Sequence, residues 1–472
     1  MPFPSPRILA RPFLLVVFVF GLCHGAAVAQ CWQQVAYGFR HSAGIRADGT
    51  LWTWGWNDVG QLGDGSTTPT SVPQQVGTGD DWAVVAVSGT FDLALSAGGL
   101  HSAAIRADGT LWTWGSNDHG QLGDGTVMDR HGPVQVGIGG IWRAVTCGAL
   151  HTLALRADST LWAWGYNAYG QLGQGDLVEH HTPVQVGTDA DWWRISSAEN
   201  HLLALKGDSS LWSWGLNNYY QLGFFNDNQN KTVPTHVGMD TDWYSVATGT
   251  CYSFALKGGH TLWGWGRNDN GQLGVGDVSS YHPVPEQIGT NSTWEAVACG
   301  DAHTIAQRTD GQLWGWGFNF NGELGLGNNT FNYVSPQAIP GGVSSASISL
   351  GSNSSASIRS DGSLWAWGRN WEGALGVGDQ LDHNVPAAVN CDLSTGIRAR
   401  EDVALHASPN PTDGLLLLDR MVDDGRLCDL KGRTLLTLRN ASRLDLRALP
   451  AGVYVLHARV KQRMEHVRVV KD

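Results

Sequence analysis

Charge is scarce in this chain. Charged residues make up 15% of its 472 positions, against about a quarter in an ordinary soluble domain. Glycine is abundant instead, with 62 copies, and no segment carries a convincing helical period. Few charges and many glycines suit a sheet protein with tight turns and exclude a helical one. Positive charge is scarcest in the body: residues 30–397 hold 14 Lys and Arg against 32 Asp and Glu. Such a surface repels phosphate backbones, so nucleic acid is excluded as a partner. Long apolar runs are missing too. The one candidate, residues 13–22, is too short to span a bilayer. Catalytic signatures are absent as well: there is no G-x-S-x-G, no H-E-x-x-H and no isolated carboxylate pair.

The short apolar run has another use. Arg7 and Arg11 precede it, and Ala27-Val28-Ala29 forms a small-x-small cleavage site before Gln30. Residues 1–29 therefore read as an export signal. A lipoprotein would use Cys31, but Gln30 stands where a small residue is needed. The mature chain is expected to be secreted or attached to the outer surface of the cell.

What the chain does have is one phrase written seven times. LWTWGWNDVGQLGDG opens at Leu51, and relatives of it open at Leu111, Leu161, Leu211, Leu262, Leu313 and Leu364. The spacings are 60, 50, 50, 51, 51 and 51 residues. A fixed period in this range means stacked supersecondary units, none able to bury its own apolar face alone. The units are β: Trp52 and Trp54 share one face of a strand and Leu51 and Thr53 the other. Residues 102–109 alternate likewise and end in Asp-Gly, predicting a two-residue hairpin with positive φ at both turn positions. Residues 142–148 and 133–137 supply two more strands, giving four per unit, the content of one propeller blade. All 23 tryptophans lie between Trp32 and Trp371. Fourteen come from the phrase; others recur before the first strand of a unit, at Trp32, Trp82, Trp142, Trp193, Trp243 and Trp294, with Ser345 in the seventh slot. Large aromatic faces between neighbouring sheets suit the core of a closed ring.

The phrase, followed by a Pro-Val strand, W-x-x-V-x-x-G-x-x-H and A-L/I-R-x-D-G, resembles the regulator of chromosome condensation repeat. The resemblance covers about residues 32–390 and implies a seven-bladed β-propeller over 30–392. It departs at Tyr220, which replaces a glycine, at Tyr252 and Ser354, which replace the repeat histidine, and in ten extra residues near 89–98. Beyond it, 393–404 reads as a linker. Residues 405–472 alternate between strands and turns, which predicts a small β-sandwich. Their order, PNP, D-x-x-G, LPAGVY and a basic last strand, is similar to the C-terminal sorting domain of the type IX secretion system. That likeness implies the type IX machinery as a partner. The expected fold class is thus all-β, a seven-bladed propeller followed by a sandwich.

Cys31 and Cys391 stand immediately before the first unit and after the last, and export permits oxidation, so a Cys31–Cys391 disulfide is expected to latch the ring. Cys147, Cys251 and Cys299 read as small core residues.

The recurring His41, His101, His151, His201 and His303 sit in G-x-x-H and read as one structural hydrogen bond per blade, because every blade repeats them. The recurring Asp of Asp-Gly is a turn residue by the same logic. The glycines of GQLGDG lack the Lys-Ser/Thr and helix of a phosphate loop. Glu179, His180, His181, His131, His282 and His383 lack metal-ligand spacing, and no cofactor is expected. Positions that differ between blades are free for recognition. After the WG of the phrase these include Trp56, His119, Tyr166, Tyr169, Tyr219, Arg267, Phe318, Phe320, Arg369 and Trp371. One loop per blade carries them, so they should share a face, and aromatics with arginine are the composition of interface hot spots. The expected function is a non-enzymatic binding module for an extracellular or surface protein. A glycan-binding adhesin is an alternative, as is a polysaccharide lyase or hydrolase using channel His and Tyr.

Overall fold

The repeated phrase becomes the third strand of each of seven four-stranded antiparallel sheets. In the computed structural model the described residues are 31–391, apart from 89–90, 93–96, 138 and 342–344, together with 407–408, 415–429, 433–460 and 463–471. The signal segment and the linker lie outside them. The chain forms two compact units, 1–392 and 393–472. Among the described residues no helix is long and apolar enough to cross a membrane.

Each blade is a meander in chain order. In blade 3 the strands are Trp142–Cys147, His151–Arg156, Leu161–Gly165 and His180–Gln185, and the other blades repeat the plan. The innermost strands surround the axis. The outermost strand of every blade contains proline: Pro73, Pro133, Pro183, Pro234, Pro283, Pro336 and Pro386. A free sheet edge tolerates the missing donor, and proline blocks a stray strand from pairing there. In blade 2 the backbone of Phe91–Asp92 pairs with Ala97–Gly98, so the insertion forms a separate small ladder between the first and second strands.

The blades interlock by one repeated device. The second Trp of each phrase is fully buried and donates its indole N–H to a backbone carbonyl of the preceding blade: Trp114 to Gln61 at 2.9 Å, Trp164 to Gln121 at 2.9 Å, Trp265 to Gln221 at 2.9 Å and Trp367 to Glu323 at 2.8 Å. A buried indole must satisfy its donor, and here the partner is always the neighbouring sheet. Gly63 lies under the Trp114 ring, where an added Cβ would approach within 2.7 Å, and holds φ at +70°. The phrase needs glycine there on both counts. The asparagine of each phrase is buried and ties its own loop: Asn167 Oδ1 accepts from the Leu172 N–H at 2.9 Å.

The ring closes between blades 7 and 1. Trp54 and Tyr37 pack in one cluster with Ile358, Leu364 and Leu375, and Cys31 is joined to Cys391 as a disulfide with Cα atoms 6.1 Å apart.

Two local expectations are corrected. The buried tryptophan of blade 4 that matches Trp142 is Trp192, while Trp193 is exposed. The strand shifts register between Trp192 and Arg194, as the other blades do at this slot, and the residue after the core tryptophan is the one left outside the core. The Asp-Gly hairpins also differ. Only the glycines carry positive φ, +79° at Gly49 and +82° at Gly109. Asp48 instead accepts the Thr50 N–H and hydroxyl on its carboxylate, at 3.1 and 2.6 Å. This aspartate side chain closes the turn itself, so its own backbone stays out of the left-handed region. Where the glycine is replaced, Ser159, Ser209 and His260 adopt φ of 65°, 64° and 59°.

The C-terminal unit is a five-stranded antiparallel sheet. Its long strand Leu415–Asp429 pairs with Thr434–Asp445 on one side and Gly452–Val460 on the other. Leu416, Leu427, Leu444, Leu456 and Val469 form its core. Its described strands are all joined in one hydrogen-bonded sheet.

Candidate functional site: the loop face of the ring

A four-stranded meander alternates its connections between two ends. The loops joining strands one to two and three to four share one end of every blade, here the loop face. The Asp-Gly hairpins and the crossovers to the next blade share the other, the hairpin face. Neighbouring loops interlock on the loop face, as where the Gly65 N–H donates to the His131 carbonyl of the next blade at 2.8 Å.

All ten sequence-nominated residues fall in third-to-fourth-strand loops or at their edges. The structure joins them in four groups. Trp56, Arg369 and Trp371 meet at the seam between blades 7 and 1. There the Arg40 guanidinium lies 3.9 Å from the Trp56 ring and 4.7 Å from Phe39, and the Arg369 guanidinium lies 4.4 Å from Trp371. Glu372 bridges the two cations, 3.6 Å from Arg40 and 2.9 Å from Arg369. Burial pulls the Arg40 pKa below the ordinary arginine value, and Glu372 opposes the shift. Trp371 is 61% exposed.

The second group is His119, Tyr166 and Tyr169, with ring centroids 4.8 and 6.1 Å apart in sequence. His119 Nδ1 pairs with Glu179 Oε1 at 2.9 Å. In the third, Arg267 lies 5.5 Å from the Tyr219 ring and pairs with Asp269. Burial alone would lower the Arg267 pKa, but Asp269 outweighs it and raises the value. In the fourth, Phe318 packs beside Phe320 and edge-on to Phe331, at 6.4 and 5.3 Å.

Phe39, Arg40 and Phe331 lie outside the slots that follow WG. Phe39 and Arg40 sit in the other loop of this face, where G-F-R-H stands against G-A-L-H in blade 3. That variable pair was the available signal.

The repeat histidines are architectural. His41, His101, His151, His201 and His303 are at most 1% exposed. Each Nε2 pairs with a hydroxyl of the next blade, as His101 with Thr152 at 3.0 Å and His303 with Ser355 at 3.0 Å. His151 instead meets Ser197 at 2.9 Å, because Leu202 occupies the usual hydroxyl slot in blade 4. Tyr252 takes over in blade 5 and donates to the His303 carbonyl at 2.6 Å. Burial pushes the imidazole pKa values down to about 3, so all five are neutral. The repeat histidines are therefore not channel residues: the axial cavity of about 300 Å3 is lined by the innermost strands, with Ala36, Tyr37, Val85, Thr146, Ser197 and Ile348 among its residues. The histidines open the second strand, one layer out.

Comparison with known proteins agrees with this geometry. Residues 85–405 match the RCC1-like domain, and residues 32–61 and 48–105 match models of the regulator of chromosome condensation repeat. The chain is 29% identical over 361 residues to the ultraviolet-B receptor UVR8 of Arabidopsis thaliana, covering 76% of this chain and 57% of that protein. It is 28% identical to the mitochondrial RCC1 domain-containing protein RUG3 of the same plant, covering 73% and 66%. It therefore spans between half and two thirds of these relatives. Among solved structures, human WBSCR16 superposes with a TM-score of 0.64 at 23% identity, covering 72% of this chain and 94% of that one. Prp20p of Saccharomyces cerevisiae gives 0.64 at 20% identity, covering 78% and 89%. Seven four-stranded sheets, interlocked by one tryptophan per blade and matched along 85–405, place this chain in the RCC1-like domain family.

Proposed function

We propose that the ring is a non-enzymatic protein-binding module whose loop face carries the contact. The observation that carries this reading is the blade 7–blade 1 seam. Trp56, Arg40, Glu372, Arg369 and Trp371 are pre-ordered there by stacking and ion pairing. Aromatics and arginines held in place lose little entropy on binding and dominate interface energies. The relatives are for the most part binding or regulatory proteins: one is named a receptor and one a GTPase regulator, and Prp20p is described through its binding to Gsp1p and histones.

The reading extends to location. The export signal at 1–29 would deliver the ring outside the cytoplasm. The C-terminal unit, as a sorting domain of the type IX kind, would route it to the outer surface as a secreted or attached protein. The seam's partner is then an extracellular or surface protein.

The test compares the full mature chain with Trp56→Ala/Trp371→Ala in pull-downs from surface proteins and on a glycan array. Protein capture that the double variant loses supports the proposal. Glycan binding lost by the same variant, with no protein captured, assigns the face to an adhesin instead.

A further inference from the structure

The opposite face carries a second blade-specific cluster. The slot after the first buried tryptophan of each blade reads Gln33, Ala83, Arg143, Trp193, Tyr244, Glu295 and Ala346. In blades 3 and 5 its side chain serves the ring: the Arg143 guanidinium donates to the Trp192 carbonyl at 2.6 Å and the Trp193 carbonyl at 3.3 Å, and the Tyr244 hydroxyl donates to the Trp294 carbonyl at 3.2 Å. Trp193, between them, makes no such bridge. It is 41% exposed, at a register shift that blades 3 and 5 have in the same slot. Its backbone carbonyl accepts from Arg143.

Arg194 lies over that ring, 4.6 Å from the centroid. Among the described residues its guanidinium has no hydrogen-bond or ion-pair partner. The Tyr244 side chain is its electrostatic neighbour, while Glu295 pairs with His260 at 3.2 Å and Asp191 with Lys206 at 3.3 Å. An exposed tryptophan capped by an unpaired arginine thus stands at the inner rim of the hairpin face, because both residues belong to an innermost strand, Trp192–Ser197. This is a positive spot on a body that carries 32 acidic against 14 basic residues over 30–397.

We infer that Trp193 and Arg194 form a second binding site, on the hairpin face, for a carboxylate-rich peptide segment of a partner protein. The planar guanidinium presents paired donors that match a carboxylate, and the tryptophan supplies the flat apolar floor beside it. This site is independent of the loop-face reading.

Binding of a fluorescein-labelled hexaglutamate peptide to the full mature chain, followed by anisotropy at low ionic strength, tests it. The wild-type chain should bind, and Trp193→Ala and Arg194→Gln should each weaken binding by about tenfold, while Trp371→Ala leaves it unchanged. Added salt should weaken it. Both substituted positions are exposed, and unchanged melting temperatures would show that the fold is intact. No binding by the wild type, unchanged binding by Arg194→Gln, equal binding of hexalysine, or loss on Trp371→Ala would each overturn the inference. Free glutamate competing as well as the peptide would overturn the assignment to a peptide.

Discussion

The indole N–H of Trp54 donates to the carbonyl of Ala374 at 2.8 Å, across 320 residues of sequence. It is the same bond that every other blade makes with its predecessor, so the seam repeats the bonding of the interior and the disulfide adds a covalent latch. Trp54→Phe removes the donor and part of a fully buried ring, while the Ala374 carbonyl keeps the Ser42 hydroxyl at 2.9 Å. The expected loss is about 1–3 kcal/mol in chemical denaturation. A loss no larger than that of an exposed substitution would show that the bond carries no weight at the seam.

Reducing the Cys31–Cys391 bond, or replacing Cys391 by Ser, should destabilise the ring by about 2–5 kcal/mol. The long span it closes gives the unfolded chain more freedom once it is cut. Peptide mapping without reductant should recover the two cysteines linked. Equal melting temperatures with and without reductant would contradict the latch.

Stability should fall in mild acid. The five repeat histidines hold folded pKa values of about 3, below their ordinary value. A depressed folded pKa contributes stability that is complete above the unfolded pKa and is lost as pH falls toward the folded one. Each histidine should therefore add about 1.4 kcal/mol per pH unit to the slope between roughly pH 6 and 4. His303→Tyr, which copies blade 5, should remove one proton from that slope; denaturant midpoints at a series of pH values report it.

Glu323 carries the opposite sign. It stands fully buried where five blades have glutamine, and burial raises its pKa to about 7. A raised folded pKa means stability that is present at low pH and lost as pH rises through 7. Glu323→Gln should stabilise the protein by up to about 3 kcal/mol above pH 8 and change nothing near pH 4. A gain equal at both pH values would reject the electrostatic cause.

Trp371→Ala and Trp56→Ala should leave stability largely intact, with less than about 1 kcal/mol lost at the exposed Trp371. Their effect belongs to binding. If calorimetry instead shows Trp371→Ala unfolding the ring, the seam cluster is structural.

Much of this molecule is written locally. The fifty-residue period, the alternation in LWTWG and the glycines of GQLG determine the number of blades, the strand order within them and the buried histidines, since every unit solves the same packing problem with the same residues. Even the role of G-x-x-H was legible from its repetition alone. Tertiary structure decided what repetition hides. Trp192 and Trp193 are adjacent and chemically identical, and only the folded sheet shows which one lies in the core and which is left outside it. Arg40 and Glu372 are separated by almost the whole ring, and only closure brings them together. Asp48 and Gly49 promise a turn, but which of them takes the left-handed backbone depends on a carboxylate finding the Thr50 N–H. Sequence period sets what all blades share because it acts within about fifty residues; the functional differences arise where distant blades meet, and that meeting exists only in the closed ring.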